Sequence, residues 1–283
     1  FVLVGFSEWP KLEMVLFVAI FIFYIMTLLG NSAIIILSRL DPRLHTPMYF
    51  FLANLSLLDL CYTTSTVPQM LVNLRGPEKT ISYGGCVAQL YISLALGSTE
   101  CILLAIMAFD RYAAICKPFH YILIMNHQFC IQMAVTVWII GFFHALLHSV
   151  MTSRLNFCGS NRIHHFFCDL PALLQLACDG GGQDSTERQM FAARVFILLV
   201  PSAVILASYG GVARAVWAMR TRGSRRKAMS TCGSHLTAVC LVYGSAIYTY
   251  LQPTHSYNQR RGEVISLFYT VTPALNPLIY TLR

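Results

Sequence analysis

Seven apolar stretches follow one another along this chain of 283 residues, at roughly 12–38, 47–73, 85–116, 129–152, 189–219, 228–252 and 262–282. A helix of about 20 such residues is long enough to cross the hydrocarbon core of a bilayer. The first stretch has no charge between Glu13 and Arg39, and the second has one acid, Asp59, near its middle. Packing in a soluble core would account for one or two such runs, but not for seven in series. Lipid offers the backbone no hydrogen-bond partners, so each run is expected to be a helix. The composition agrees: 56% of residues are hydrophobic and 11% are charged, against about 25% charged in soluble proteins. The expected fold is an all-α membrane protein, a single seven-transmembrane helix bundle over residues 1–283, with no repeat, low-complexity tract or soluble domain.

Charge sets the orientation. Arg39 and Arg43 with Asp41 follow the first stretch, and Lys117, His120 and His127 follow the third. Arg220, Arg222, Arg225, Arg226 and Lys227 precede the sixth with no acid among them. The other connections mix signs: Arg75, Glu78 and Lys79; Asp179, Asp184, Glu187 and Arg188; Arg260, Arg261 and Glu263. The positive-inside rule puts the N-terminus outside and the C-terminus in the cytosol. The net charge of +8 is therefore a topology signal, with an attraction for anionic lipid, and not a nucleic-acid footprint. The chain starts at Phe1 and stops at Arg283 right after the last apolar stretch, so N- and C-terminal tails are expected to be missing. Asn54-Leu55-Ser56, the one glycosylation sequon, lies within an apolar stretch, where glycosylation is implausible.

Of ten cysteines, Cys86, Cys158, Cys168 and Cys178 fall on the outer side, where disulfides persist. Four cysteines allow three pairings. Cys61, Cys101, Cys116, Cys130, Cys232 and Cys240 read as small packing residues. There is no glycine-rich phosphate loop and no nucleophile–base arrangement outside the membrane, so no enzyme is expected.

Asp110 and Arg111 stand side by side where the third stretch should meet water, and an arginine there needs a partner or the interface. They lie in Met107-Ala108-Phe109-Asp110-Arg111-Tyr112-Ala113-Ala114-Ile115-Cys116. That string resembles the signature at the cytoplasmic end of the third helix in olfactory receptors, a branch of the rhodopsin-like G-protein-coupled receptors. The resemblance runs through nearly the whole chain: Gly30-Asn31; Leu44-His45-Thr46-Pro47-Met48-Tyr49-Phe50-Phe51-Leu52-Ala53-Asn54-Leu55-Ser56; Trp138; Ser208-Tyr209 after Pro201; Lys227-Ala228-Met229-Ser230-Thr231-Cys232-Gly233-Ser234-His235-Leu236; and Pro273-Ala274-Leu275-Asn276-Pro277-Leu278-Ile279-Tyr280. His165-Phe166-Phe167-Cys168-Asp169 is similar to the tetrapod-type, class II members. Tyr243-Gly244 stands where the wider class has a Trp-Pro switch, as is usual for olfactory receptors, and Arg194 stands where many relatives carry a small residue.

The resemblance implies the disulfides Cys86–Cys168 and Cys158–Cys178. It makes Asp59 and Glu100 neighbours, and two carboxylates in one dry site cannot both ionise without a cation. A bound Na⁺ is expected there, with Asn276 and Ser56 as further oxygen groups; a shared proton is the alternative. Asp110, Arg111, Tyr112, Tyr209, His235 and Tyr280 form the implied switch for a heterotrimeric G protein of the stimulatory, olfactory type, which raises cyclic AMP. Small volatile odorants are implied to bind between the outer helix halves, at Ser93, Leu94, Gly97, Ser98, Cys101, Arg194, Ile197, Tyr243, Ile247, Tyr250, Ser266 and Tyr269. Arg194 is expected either to face this pocket and pair an anionic or strongly hydrogen-bonding odorant, or to snorkel outward or pair with Asp184 or Glu187. His144 and His148 share a helix face, which with His164, His165 and nearby cysteines would suit a metal; polar groups on an inner helix face are the plainer reading. The implied location is the plasma membrane, in the cilia of olfactory neurons. A rhodopsin-like receptor for a non-odorant molecule and a transporter are the competitors. Ser93, where amine receptors carry an acid, speaks against an amine, and the lack of internal repeats against a transporter.

Overall fold

The computed structural model describes residues 1–5, 10–76, 79–158, 161–178, 183–219, 221–252 and 258–281. In chain order these form β1 (Val2–Leu3), α1 (Pro10–Leu40), α2 (Pro47–Arg75), α3 (Tyr83–Cys116), a short α4 (Tyr121–Ile124), α5 (His127–Ser153), β2 (Arg162–Ile163), a short α6 (Leu170–Leu174), α7 (Gln183–Ala218), α8 (Arg222–Tyr250) and α9 (Gln259–Thr281). Each of the seven long helices overlaps one of the seven apolar stretches. Lys11–Leu40, Tyr83–Cys116, His127–Ser153 and Ser185–Ala218 are long and apolar enough to cross a membrane by length and composition alone. The other three carry more polar residues and bury them: Asp59, Thr63 and Thr66 on α2, His235 and Thr249 on α8, Ser266, Thr270 and Asn276 on α9. The exposed surface is apolar instead, with Val15, Leu29, Ile139, Phe143, Phe196 and Leu206 facing outward. Polar inside and apolar outside is the arrangement that lipid requires.

Local chemistry sets several helix ends. Ser82 caps α3 by accepting from the Gly85 amide, Asn126 caps α5 by accepting from the Phe129 amide, and Pro47 opens α2. Two helices start before their apolar stretch. The first turns of α7 are polar, and α8 takes in Arg222, Arg225 and Arg226, which are exposed. The basic segment expected as a loop is thus largely a helix that runs on into water, because a helix need not end where the membrane does. Arg220 and the Lys227 side chain lie outside the described residues.

α3 is the centre of the bundle and packs on α2, α5, α7 and α8, while α1 packs on α2 and α9. The α1–α9 contact explains the Gly30-Asn31 pair. A Cβ at Gly30 would sit 2.9 Å from the Pro277 ring, and Asn31 Nδ2 donates to the Pro273 carbonyl at 3.0 Å. On the outer side, β1 pairs in parallel with β2, the Phe1 nitrogen donates to the Ile81 carbonyl at 3.0 Å, and Lys79 pairs with Glu13. Disulfides join Cys86 to Cys168 (Cα–Cα 5.4 Å) and Cys158 to Cys178 (Cα–Cα 5.0 Å). The first holds the outer loop against α3, where the Cys168 amide also donates to Gln89 Oε1 at 2.9 Å.

Candidate functional site

An internal cavity of about 80 Å³ lies between the helices. α3 supplies Ser93, Leu94, Leu96, Gly97, Ser98, Glu100 and Cys101. α7 supplies Arg194, Ile197 and Leu198, and α8 supplies Val242, Ala246 and Tyr250. Leu58, Asp59 and Tyr62 of α2, His144 of α5, and Tyr269, Thr272 and Pro273 of α9 complete the wall. Nine of the twelve residues expected at the ligand site therefore line one space. Tyr243, Ile247 and Ser266 do not. Val242, Ala246 and Tyr250 recur every fourth residue and take the inward face of α8, so Tyr243 and Ile247, one position on, are turned about 100° away. Ile247 is 38% exposed on the outside of the bundle, which removes it as a ligand contact. Tyr243 is buried, and its hydroxyl donates to the Cys101 carbonyl at 2.7 Å, tying α8 to α3 behind the cavity wall. Ser266 is buried and donates to the Glu263 carbonyl at 2.7 Å. Sequence reasoning did not assign Leu58, Tyr62, Leu96, His144, Leu198, Val242, Ala246, Thr272 and Pro273 to the ligand site. The four-residue spacing of Val242, Ala246 and Tyr250 was the available signal.

Asp59 and Glu100 both reach the cavity wall. Asp59 is buried and accepts from Asn276 Nδ2 at 2.9 Å through Oδ2, while Asn276 Oδ1 is buried without a partner among the described residues. Ser56 is buried one helical turn before Asp59. Two carboxylates and a spare amide oxygen are a donor set that fits a small hard cation.

Arg194 is 3% exposed, which rules out snorkelling. Its Nε donates to the Met190 carbonyl at 3.3 Å and its guanidinium lies 5.6 Å from the Phe191 ring centroid. No ion pair to it forms among the described residues, Glu187 included; the Asp184 side chain lies outside them. His144 Nδ1 is 2.8 Å from Ser98 Oγ, and its Nε2 is 3.1 Å from His148 Nε2. His164 is exposed and His165 is buried against Phe167 in the outer loop. No group of three or more metal-ligating side chains occurs among the described residues, and the histidine pair forms a hydrogen-bonded polar chain with Ser98.

At the cytoplasmic end, Asp110 is buried and pairs with Arg111, whose Nε donates to Asp110 Oδ2 at 2.9 Å. Asp110 Oδ1 accepts from the Tyr121 hydroxyl at 2.7 Å, so the short α4 helps to hold the acid. Burial and this hydrogen bond raise the Tyr121 phenol above its usual range. Arg111, Asp110, His235 and Tyr280 surround one small space. Tyr209 bonds His235 Nδ1 at 2.7 Å, joining α7 to α8. Tyr112 packs on α7, where a Cβ at Gly211 would come within 2.5 Å of its ring.

The family model of olfactory receptors matches residues 20–283. Human olfactory receptor 2Y1 is 58% identical over 284 residues, covering all of this chain and 90% of that protein. Human olfactory receptor 2G3 is 58% identical over 286 residues, covering all of this chain and 91% of that protein. Mouse olfactory receptor 2C1 is 54% identical over 284 residues, covering all of this chain and 90% of that protein.

Proposed function

The chain belongs to the olfactory receptor family, whose members are receptors and not enzymes, and we propose that it is a plasma-membrane odorant receptor working through the stimulatory olfactory G protein to raise cyclic AMP in olfactory cilia. The observation that carries this is the pair of sites on one set of helices: an enclosed cavity among α3, α7 and α8, and an acid–arginine pair at the inner end of α3. A small volatile ligand fills the cavity against Val242, Ala246 and Tyr250 and favours a shifted α8. The inner end of α8 then moves outward. The hydrogen bond between His235 and Tyr209 opens, and Arg111 leaves Asp110 for Tyr209 and the G protein. The exposed Arg222, Arg225 and Arg226 form a basic face for the same partner. A ligand shifts such an equilibrium only by its differential affinity for the two arrangements.

Na⁺ would be held by Asp59 and Glu100, with the free Asn276 oxygen and Ser56 beside it, neutralising two acids that otherwise repel. The test of the switch is Arg111→Ala in cells expressing the full-length receptor with the olfactory G protein. Cyclic AMP responses disappear while surface delivery persists. Full signalling by that variant refutes the switch assignment.

A further inference from the structure

The outer part of the cavity offers hydrogen-bond donors, and the histidine chain is what sets one of them. His144 and His148 face each other through Nε2 at 3.1 Å, so only one of the two atoms carries a hydrogen. Both rings are buried with no acid bonded to them, and an unpaired charge there is costly, so both are neutral. His148 Nδ1 is buried with no partner among the described residues. If His144 donated to His148, Nδ1 of His148 would hold a buried hydrogen with no acceptor, the rarer and costlier orphan. If His148 donates, its Nδ1 is a bare acceptor, which is better tolerated. His144 then accepts at Nε2 and carries its own hydrogen on Nδ1, 2.8 Å from Ser98 Oγ, with the Ala193 carbonyl as a further acceptor beside the ring. Ser98 forms no other hydrogen bond among the described residues, so its hydroxyl hydrogen is left for the cavity that it lines.

Arg194 is the second donor. It reaches the same cavity with only its Nε engaged and no carboxylate paired to it among the described residues. A buried guanidinium without an anion is unfavourable, and its fork fits a carboxylate in a bidentate manner. The remaining wall gives direction. Ile197 and Leu198 lie one turn further along α7, followed inward by Cys101 and by Asp59 and Glu100. Asp59 and Glu100 repel an anion from the inner end. Glu187 and Asp169 also act on Arg194 but neither lines the cavity, so the guanidinium is the charge that a ligand head meets at the outer end, and the tail lies in the apolar middle.

On the reading of this cavity as the ligand pocket, we propose that the receptor's ligands are small carboxylic acids, with the carboxylate seated on Arg194 and the Ser98 hydroxyl and a short hydrocarbon tail pointing inward. A neutral odorant can accept single hydrogen bonds from these donors but brings neither the counter-charge nor the bidentate fit that the guanidinium takes from a carboxylate.

The test is thermal stabilisation of the purified full-length receptor by short straight-chain carboxylic acids, each beside its methyl ester and its alcohol, at neutral pH. The acids raise the melting temperature and the esters do not, a comparison within the unaltered protein that needs no variant. Arg194→Gln weakens acid binding about 30- to 100-fold, the usual weight of a charge-assisted bidentate pair. Ser98→Ala weakens it about tenfold, the low end for one hydrogen bond to a charged group. Esters binding as well as acids, acid binding unchanged in Arg194→Gln, or no acid shifting the melting temperature each overturn the proposal. Cyclic AMP measured alongside tests the receptor reading separately. Acid binding without a cyclic AMP response keeps the ligand class and rejects the coupling; cyclic AMP responses to neutral volatiles that survive Arg194→Gln keep the receptor and reject the ligand class.

Discussion

Among the described glycines, Gly141 leaves the least room for a side chain, and adding one methyl group there should tell whether the α3–α5 contact is as tight as described. A Cβ at position 141 would lie 2.0 Å from Thr99 Oγ1, 2.8 Å from the Ala95 carbonyl oxygen and 3.0 Å from the Thr99 amide nitrogen. The Thr99 side chain can rotate, but only by breaking its 2.7 Å bond to Ala95. The two backbone atoms cannot yield, so α3 and α5 must separate. Overpacking of this kind costs about 1–3 kcal/mol. The strained Ser98–His144 bond next to it adds about 1 kcal/mol, and the gain from alanine in a helix returns about 0.5–1 kcal/mol. Gly141→Ala should therefore be destabilised by about 1–3 kcal/mol, a fall of roughly 3–10 °C in melting temperature for a chain of this size. Gly244, on α8, has nothing within 4 Å of its Cβ position, and Gly244→Ala should rise by about 1–3 °C from helix propensity alone. Thr99→Ala in the Gly141→Ala background removes the 2.0 Å contact but not the backbone ones, so it should recover less than half of the loss. Thermal unfolding of the purified receptor in detergent reads all four proteins. Equal melting temperatures for Gly141→Ala and wild type, or losses of the same size at Gly141 and Gly244, would refute the reasoning.

His165, in the outer loop, is held below its ordinary value of 6.5 by burial, against an opposing pull from Asp169. The unfolded chain therefore takes up a proton below about pH 6.5 that the folded loop refuses, so stability falls as pH drops through that range. Melting temperature measured between pH 7.5 and 5 should decline in wild type and decline less in His165→Phe; identical slopes would count against the assignment. If Na⁺ bridges Asp59 and Glu100, replacing choline with Na⁺ at tenfold its dissociation constant stabilises the receptor by about 1.4 kcal/mol. Asp59→Asn should abolish that difference, and a Na⁺ effect that survives the substitution would locate the ion elsewhere.

The sequence showed what depends on lipid and on charge. Seven spans, their orientation and the outer position of four cysteines follow from hydropathy and from where Arg and Lys collect, because a bilayer penalises every violation. The rotation of a helix about its own axis follows from no such rule. Tyr243 and Val242 are both apolar neighbours on α8, yet Val242 lines the cavity and Tyr243 turns to the Cys101 carbonyl. Likewise Ile247 faces outward and Ala246 inward. A small residue at Ala246 leaves room for a ligand, while residue-type reasoning favours the larger Ile247 and Tyr243. Arg194 remained ambiguous for a related reason: whether a charge on an apolar helix points in or out depends on what the neighbouring helices present. The early start of α8 was hidden because a basic run reads as a solvated loop, although arginine is a good helix former.

The hydrogen bonds of α8 also bear on why this helix would be the one to move. It packs most extensively on α9 and less on α3 and α7. Among the described residues, three side-chain bonds spread along its length fasten it to α3, α7 and the outer loop. Tyr250 donates to Asp169 of the outer loop at 2.9 Å, Tyr243 to Cys101 of α3 at 2.7 Å, and His235 meets Tyr209 of α7 at 2.7 Å. Bonds of this kind are worth about 0.5–1.5 kcal/mol each, so the three together hold α8 by about 2–4 kcal/mol. That is close to the differential affinity a ligand needs to move a population substantially, since about 5.5 kcal/mol takes a two-state equilibrium from 1:99 to 99:1. A broad apolar seam in the same places would resist with no defined breaking point. Directional bonds break at a set displacement, and the outermost is made by Tyr250, which itself lines the cavity. Under the proposed mechanism, a ligand that displaces Tyr250 acts first on the fastening nearest to it, and the inner fastening at His235 is the one whose opening frees the end of α8 beside Arg111.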